Sequence, residues 1–458
     1  MTDRRKAAIE FYRGNKARYL DELIEVSRIP SISTDPGAVA SMQKTAEWIA
    51  AKLRKLSMEK VSIYPTAGHP VVYAEWLGAG PEAPTMLVYG HYDVQPPEPL
   101  ELWETGPFEP TVRGEYIYAR GVTDMKGQVE AILNAIEAVQ STGPLPVNIK
   151  FLIEGEEEIG SPSLKKFISD HREMLACDFA LNPDTGMIAI DVPTITYALR
   201  GMAYFELRVY GPDHDLHSGV FGGAVHNPAQ VLCELIAGMH DEKGRVTLPG
   251  YYDSVLDLEE EERAELARLP VTRETVLEQC GAPELWGEAG YSPVEQTGAR
   301  PTLEVNGLYS GYTGPGAKTV LPATAIAKIS MRLVPNQDPK QVKAQMTRYL
   351  QDNAPKTIRW ELDDLVGGPP SISDRNSDWI QALSDALEEV WGKRPLFKRE
   401  GGSVPVVSLF SEILKIETVN TGFSTPADNM HSPNEKMHLP NWQRGTEALV
   451  HFILNMKD

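Results

Sequence analysis

The sequence predicts an α/β fold: a core domain in two pieces, residues 1–198 and 366–458, with a ferredoxin-like α+β domain, 199–365, inserted between them. Three observations carry this expectation. Strand and helix signals alternate through the first and last stretches, as they do where helices pack on a sheet. The middle stretch runs β-α-β-β-α-β, the order of a ferredoxin-like sandwich. Four predicted core strands run out into histidine or carboxylate side chains, and open α/β sheets gather their chemistry outside the carboxyl ends of the strands.

Residues 12–30 have the spacing of an amphipathic helix that stops before Pro30, and a second helix covers about 38–57. The strands VVYAEWL and APTMLVYGHYDV follow. Asp124, a favoured N-cap type, opens a helix whose Met125, Val129, Ile132, Leu133, Ile136 and Val139 recur at helical spacing, and Gly143-Pro144 closes it. VNIKFLIEG is mostly apolar, as befits a strand buried between helices, and DFALNP is the next strand.

The pattern changes near Tyr197-Ala198. Strand YFELRVYGP leads through a Gly/His-rich loop to a helix from about Asn227. Strands TLEVNGLYSG and TAIAKISMRLVP, a helix over about 338–353 and strand TIRWELDDL complete the inserted domain. An acidic helical insertion, about 243–300, interrupts it. Beyond Gly367-Gly368-Pro369-Pro370 the order returns to helix, strand and helix, the strand being ETVNTGF.

A chain of 458 residues, 42% hydrophobic, can bury a large core across two domains. Its net charge of −20 argues against nucleic acid or an anionic membrane as the main partner. The start, MTDRRKAAIEFYRGNK, has no apolar core of signal-peptide length, and no stretch approaches the roughly 20 apolar residues that span a bilayer. Cys177, Cys233 and Cys280 are widely spaced and odd in number. They suit a reducing cytoplasm and read as buried structural thiols, with no CxxC metal pattern.

The chemistry concentrates in five short segments. In GHYDVQP, His91 ends a strand and offers a metal ligand, while Asp93 can accept its other ring N–H and fix the tautomer. In GVTDMKG, Asp124 sits at a helix start, where one carboxylate can cap, bridge two cations, or do both. In EGEEEIGS, the run Glu156-Glu157-Glu158 directly follows an apolar strand; adjacent carboxylates repel, a costly arrangement unless cations compensate it. Two neighbours can then divide the work, one as ligand and one as general base. LNPDTGM supplies Asp184 in a turn, and STPADNMHSPNEK supplies His431 in a polar loop. Mixed histidine and carboxylate ligands favour zinc, with manganese or cobalt as alternatives, and the lack of nearby thiolates points to a catalytic rather than a closed structural site.

In this order the motifs closely resemble those of the dinuclear zinc amidohydrolases that include carnosine dipeptidase, carboxypeptidase G2, acetylornithine deacetylase and succinyl-diaminopimelate desuccinylase. The resemblance implies a mixed-sheet zinc-peptidase catalytic domain with an inserted lid and dimerisation domain. It assigns His91, Asp124 and Asp184 to one metal and Asp124, Glu158 and His431 to the other, with Glu157 as general base and Asp93 as the residue that orients His91. Further matches resemble the subgroup of cytosolic nonspecific dipeptidase and carnosinase. DLHSGVFGG offers His217 to the active site of the partner in a homodimer; SMRLVPNQDP offers Arg332 to a substrate carboxylate; KTVLP offers Thr319, and REGGSVPVV offers Gly402 and Ser403. Met125 stands where many members have a second Asp, and Glu156 is an additional acid. The implied activity is cleavage of short peptides with a free C-terminal carboxylate, the alternative being deacylation of N-acyl amino acids.

Overall fold

The computed structural model describes residues 2–402 and 404–456. The chain divides into two compact units, one of Met1–Tyr197, Ser373–Lys398 and Pro405–Asp458, the other of Ala198–Ile372 and Arg399–Val404.

The first unit is organised by a mixed sheet whose strand order is Glu59–Tyr64, Val71–Trp76, Asn148–Glu154, Thr85–His91, Phe179–Asn182, Glu417–Asn420 and Thr194–Leu199. Its four inner strands, from Asn148–Glu154 to Glu417–Asn420, are parallel to one another, and the strands flanking them, Val71–Trp76 and Thr194–Leu199, pair antiparallel. They are buried almost throughout, which is why they read as apolar runs rather than alternating ones. Helix Gly127–Gln140 packs in the core against the carboxy-terminal helix Leu439–Asn455, with Trp442 donating its indole N–H to the Gly127 carbonyl at 2.8 Å.

The second unit contains a four-stranded antiparallel sheet in the order Thr302–Ser310, Thr324–Leu333, Gly201–Tyr210, Arg359–Gly368. Helices Pro228–Ala237 and Pro339–Asn353 join these strands in β-α-β-β-α-β sequence, so the spatial order is that of a ferredoxin-like sandwich. Alternate residues of Gly201–Tyr210 and Thr324–Leu333 are buried, placing Phe205, Leu207, Ile329 and Met331 against Leu232, Leu235, Met346 and Leu350. Asn227 and Asp338 cap the two helices by accepting the backbone N–H of Ala229 and Lys340. The insertion holds three short helices, Glu260–Leu266, Arg273–Cys280 and Pro293–Gly298, and Glu262 within it meets the buried Arg399 guanidinium, whose Nε donates at 2.8 Å.

Two expectations are corrected. The amino-terminal helix is two helices, Thr2–Gly14 and Lys16–Ser27, broken at Asn15, whose φ of −108° and ψ of 5° leave the helical region. Gly14 and Asn15 are weak helix formers, and the Asn15 amide bonds back to the Phe11 carbonyl at 2.8 Å. The bend lets Tyr12 and Tyr19 stack, ring centres 5.4 Å apart. The thiols are also less buried than expected: Cys177 is half-buried and Cys233 and Cys280 are exposed. Cys280 ends a helix with no buried residue, and Cys233 faces outward between Leu232 and Leu235, so neither occupies a core position. No helix among the described residues is long and apolar enough to cross a membrane.

Candidate metal centre

Because the four inner strands run parallel, their carboxyl ends open on one edge of the sheet. His91 is the last residue of its strand and fully buried. Glu157 and Glu158 begin a 3-10 turn three residues beyond Asn148–Glu154. Asp184 lies two residues beyond Phe179–Asn182, its backbone N–H held by the Asn182 side chain at 3.2 Å. His431 sits in the loop after Glu417–Asn420, in a left-handed conformation with φ of 59°. Gly422 lets these exits crowd together: a Cβ there would lie 1.5 Å from the Thr185 carbonyl oxygen.

Asp124 does not cap the helix. It lies in a turn over Val122–Lys126 with φ of −126° and ψ of 96°, and the helix starts at Gly127. Its position ahead of the first helical turn frees the carboxylate to face two imidazoles. Oδ1 lies 3.0 Å from His91 Nε2 and Oδ2 2.8 Å from His431 Nε2. His91 Nε2 is also 3.8 Å from Asp184 Oδ1, and His431 Nε2 is 3.3 Å from Glu158 Oε2. Gln95 donates to Glu158 Oε2 at 2.8 Å.

Asp93 contributes differently from expectation. His91 Nδ1 lies closer to the Asp93 carbonyl oxygen, 3.1 Å, than to its carboxylate, 3.4 Å. The carboxylate accepts the backbone N–H groups of Glu157 at 3.2 Å and Glu158 at 3.0 Å. Glu156, the extra acid of the run, turns away from the cluster. Its carboxylate accepts the backbone N–H of His69 at 2.9 Å and of Ser163 at 3.0 Å, so hydrogen bonds rather than a cation compensate its burial.

The electrostatics are those of acids crowded in a low-dielectric site. Burial pushes the Glu157 carboxyl up to about 7; the His91 charge opposes this, and Asp124 and Glu158 add to it. Burial raises Asp184 well above the carboxylate range, with Asp124, Glu157 and Glu158 reinforcing it against His91. Burial also acts to raise Asp124, but hydrogen bonds with His431 and His91 outweigh it and hold that carboxyl well below its ordinary value. Conversely, burial disfavours a charged His91, yet its bonds to Asp124 and Asp93 carry the imidazole upward. The hydrogen bond to Asp124, then that to Glu158, raises His431 to about 10.

Two sets of donor atoms result, His91/Asp124/Asp184 and Asp124/Glu158/His431, each with its atoms within 4.8 Å of one another. Imidazole nitrogens and carboxylate oxygens suit zinc, manganese or cobalt, and the shared Asp124 offers a separate oxygen to each set. The residues present therefore fit a pair of divalent cations.

Residues 87–455 match the sequence profile of Peptidase family M20/M25/M40. The chain belongs to this family. Among its M20 relatives is human Beta-Ala-His dipeptidase, 34% identical over 84% of this chain and 77% of that protein. The Cys-Gly metallodipeptidase dug1 of Schizosaccharomyces pombe is 32% identical over 96% and 95% of the two chains. Among solved structures, an M20 family metallo-carboxypeptidase from Sulfolobus solfataricus superposes with a TM-score of 0.84 at 33% identity, covering 96% of this chain and 99% of that one.

The remaining candidate residues of this M20 peptidase belong to its second unit. His217 and Thr319 are brought together by a short ribbon in which Leu216–His217 pairs with Val320–Leu321. The His217 ring is exposed, and its Nδ1 accepts the Gly219 N–H at 3.0 Å, which leaves Nε2 to carry the proton in the neutral ring. Arg332 pairs across the sheet with Thr302 and Met202 and lines a cavity of about 410 Å³ with Arg200, Glu304 and Trp286. A Cβ at Gly402 would meet open space, whereas at Gly401 it would lie 2.9 Å from Arg200 Nη2, so the tighter constraint in this loop is Gly401. Ser403 lies outside the described residues.

Sequence reasoning missed Gln95, Arg120 and Glu435. Each lies within or beside a motif it had isolated, but a glutamine, an arginine and a glutamate in polar loops carry no local signature of their tertiary partners.

Proposed function

We propose that the chain is a dipeptidase that uses two divalent cations, zinc first with manganese or cobalt as alternatives, to hydrolyse dipeptides and short peptides with a free C-terminal carboxylate. His91, Asp124 and Asp184 hold one cation, and Asp124, Glu158 and His431 the other. Bound there, the pair supplies Lewis acidity and lowers the pKa of a water toward about 7.

One observation carries this reading: the Glu157 carboxylate sits beside both ligand sets yet takes no side-chain hydrogen bond among the described residues, while its backbone is pinned by Asp93. It is the acid left over for proton transfer. Glu157 takes a proton from the attacking water and returns it to the departing amine. General-base assistance of this kind is worth about 10²–10⁴-fold in rate. Arg332 holds the substrate carboxylate, and Thr319, Gly402 and Ser403 contribute polar contacts. The likeness to dipeptidases and a metallo-carboxypeptidase supports a free carboxylate as the recognised group, since both kinds of enzyme cut beside a C-terminal residue.

In this reading residues 1–198 and 366–458 form the catalytic domain and 199–365 a lid and dimerisation domain. His217 of one subunit serves the partner's site in a homodimer, its Nε2–H a donor for the tetrahedral oxyanion. The free thiols support a reducing, cytoplasmic setting.

The test is incubation of the metal-loaded protein with a pool of dipeptides, tripeptides and N-acyl amino acids, followed by mass spectrometry. Loss of dipeptides is expected. Loss of acylated amino acids alone would transfer the chain to the deacylases and leave the metal chemistry standing.

A further inference from the structure

Glu435 is four residues beyond His431, and its side chain is almost wholly buried. Its carboxylate accepts four hydrogen bonds, all from the segment that carries Asp124. Oε2 takes Arg120 Nη1 at 2.7 Å and the Gly121 N–H at 3.0 Å; Oε1 takes the Thr123 N–H at 3.1 Å and the Asp124 N–H at 3.3 Å. Arg120 is itself buried, with its Nη2 on the Pro96 carbonyl at 3.2 Å and its guanidinium 5.5 Å from the centre of the Trp103 ring. The Glu435 backbone is fixed too: its carbonyl accepts the Ala119 N–H at 3.1 Å, and Lys436 pairs with Tyr118. Near the start of the same loop, Asp428 accepts the Thr123 hydroxyl at 3.3 Å.

We infer that Glu435 is a positioning residue for the metal centre, tying the His431 loop to the Asp124 segment so that one carboxylate presents a separate oxygen to each imidazole. Residues 121–124 belong to no sheet, and three of their backbone N–H groups converge on Glu435, which sets their peptide planes and with them the direction of the Asp124 side chain. One anchor thus serves the shared ligand and a ligand of the second set. The inference rests on the dinuclear reading above.

Glu435→Gln by itself leaves Arg120 buried without its anionic partner, so a second variant accompanies it. The double variant Arg120→Met/Glu435→Gln removes both charges while the amide still lacks a second acceptor oxygen for the N–H cluster. Apo forms of the native protein and both variants would be titrated with zinc by calorimetry and with cobalt by visible absorption, affinities being referred to the folded fraction from circular dichroism. The expected result is two ions bound by the native protein, and a roughly 10–100-fold loss of affinity with an altered cobalt spectrum in both variants, persisting in the double variant where thermal stability recovers. A folded double variant with native affinity and spectrum would overturn the inference. So would failure of both variants to fold even with metal, since Glu435 would then act on the fold rather than the site. A native protein that binds no metal pair would instead remove the dinuclear reading itself.

Discussion

The Asp93 carboxylate accepts the backbone N–H of Glu158 at 3.0 Å. The same carboxylate takes the N–H of Glu157 at 3.2 Å, and the Asp93 carbonyl faces His91 Nδ1 at 3.1 Å. One residue therefore aligns His91 at one strand exit with Glu157 and Glu158 at the next. Asp93→Asn offers only one acceptor oxygen to two N–H groups. It is expected to weaken metal binding by about 10–100-fold and to lower kcat, as loss of a ligand-supporting partner does. Metal titration and steady-state kinetics on one preparation check this; unchanged values in both would return Asp93 to a purely local turn role.

Glu157→Gln keeps the shape of the side chain and removes its basicity. Turnover is expected to drop by about 10²–10⁴-fold with two metal ions still bound. Elemental analysis beside kinetics decides the outcome, and loss of one metal equivalent would exchange the roles of Glu157 and Glu158.

Arg332→Ala is expected to raise KM for dipeptides with a free C-terminal carboxylate and to have little effect on amidated analogues. A carboxylate held by a guanidinium contributes about 1.5–3 kcal/mol, or roughly ten- to a hundredfold in KM. Equal effects on free and amidated substrates would remove Arg332 from carboxylate recognition.

Gly422→Ala places a methyl group against the Thr185 carbonyl at 1.5 Å, a contact that requires the backbone to move. Overpacking costs typically about 1–3 kcal/mol, and the displaced turn carries Asp184. Lower melting temperature and weaker metal affinity should appear together. A native melting curve would show that the two loops yield freely.

Glu130 gives the fold a pH dependence away from the metal centre. Burial pushes its carboxyl up to about 7, against the opposing charge of Lys52, whose ammonium lies 3.5 Å away and also pairs with Glu22; Glu22 and Glu137 add to the rise. The folded pKa exceeds the ordinary 4.5, so the folded state holds this proton more tightly. The resulting stability is present in full below about 4.5 and is lost as the pH rises through about 7. Glu130→Gln should flatten that part of the stability profile measured by denaturant titration, and an unchanged slope would place the titration elsewhere.

The parts of the fold legible in the sequence are those where local chemistry and tertiary demand agree. VNIKFLIEG reads as a buried strand and is one, because it lies inside the sheet with a hydrogen-bonded strand on either side, Thr85–His91 parallel and Val71–Trp76 antiparallel. Asn227 and Asp338 announce helices they do cap. The misreadings come where two roles compete for one residue. Asp124 has the local signature of a cap, and a cap would have been its cheapest use in isolation. Two imidazoles, His91 at a strand end and His431 in a distant loop, claim its oxygens instead, and the helix starts three residues later. Glu156 looks like one of three equivalent acids, yet the backbone amides of His69 and Ser163 draw it out of the cluster.

By itself the sequence determined the α/β and ferredoxin-like patterns and the acids and histidines at the strand exits, because hydrophobic period and residue type are properties of short segments. Only the tertiary structure decided which oxygen faces which imidazole, that Asp93 anchors two glutamate amides, and that Glu435 gathers the N–H groups behind Asp124. Those are relations between residues tens to hundreds of positions apart, set by the parallel pairing of strands and by the need of buried polar groups for partners.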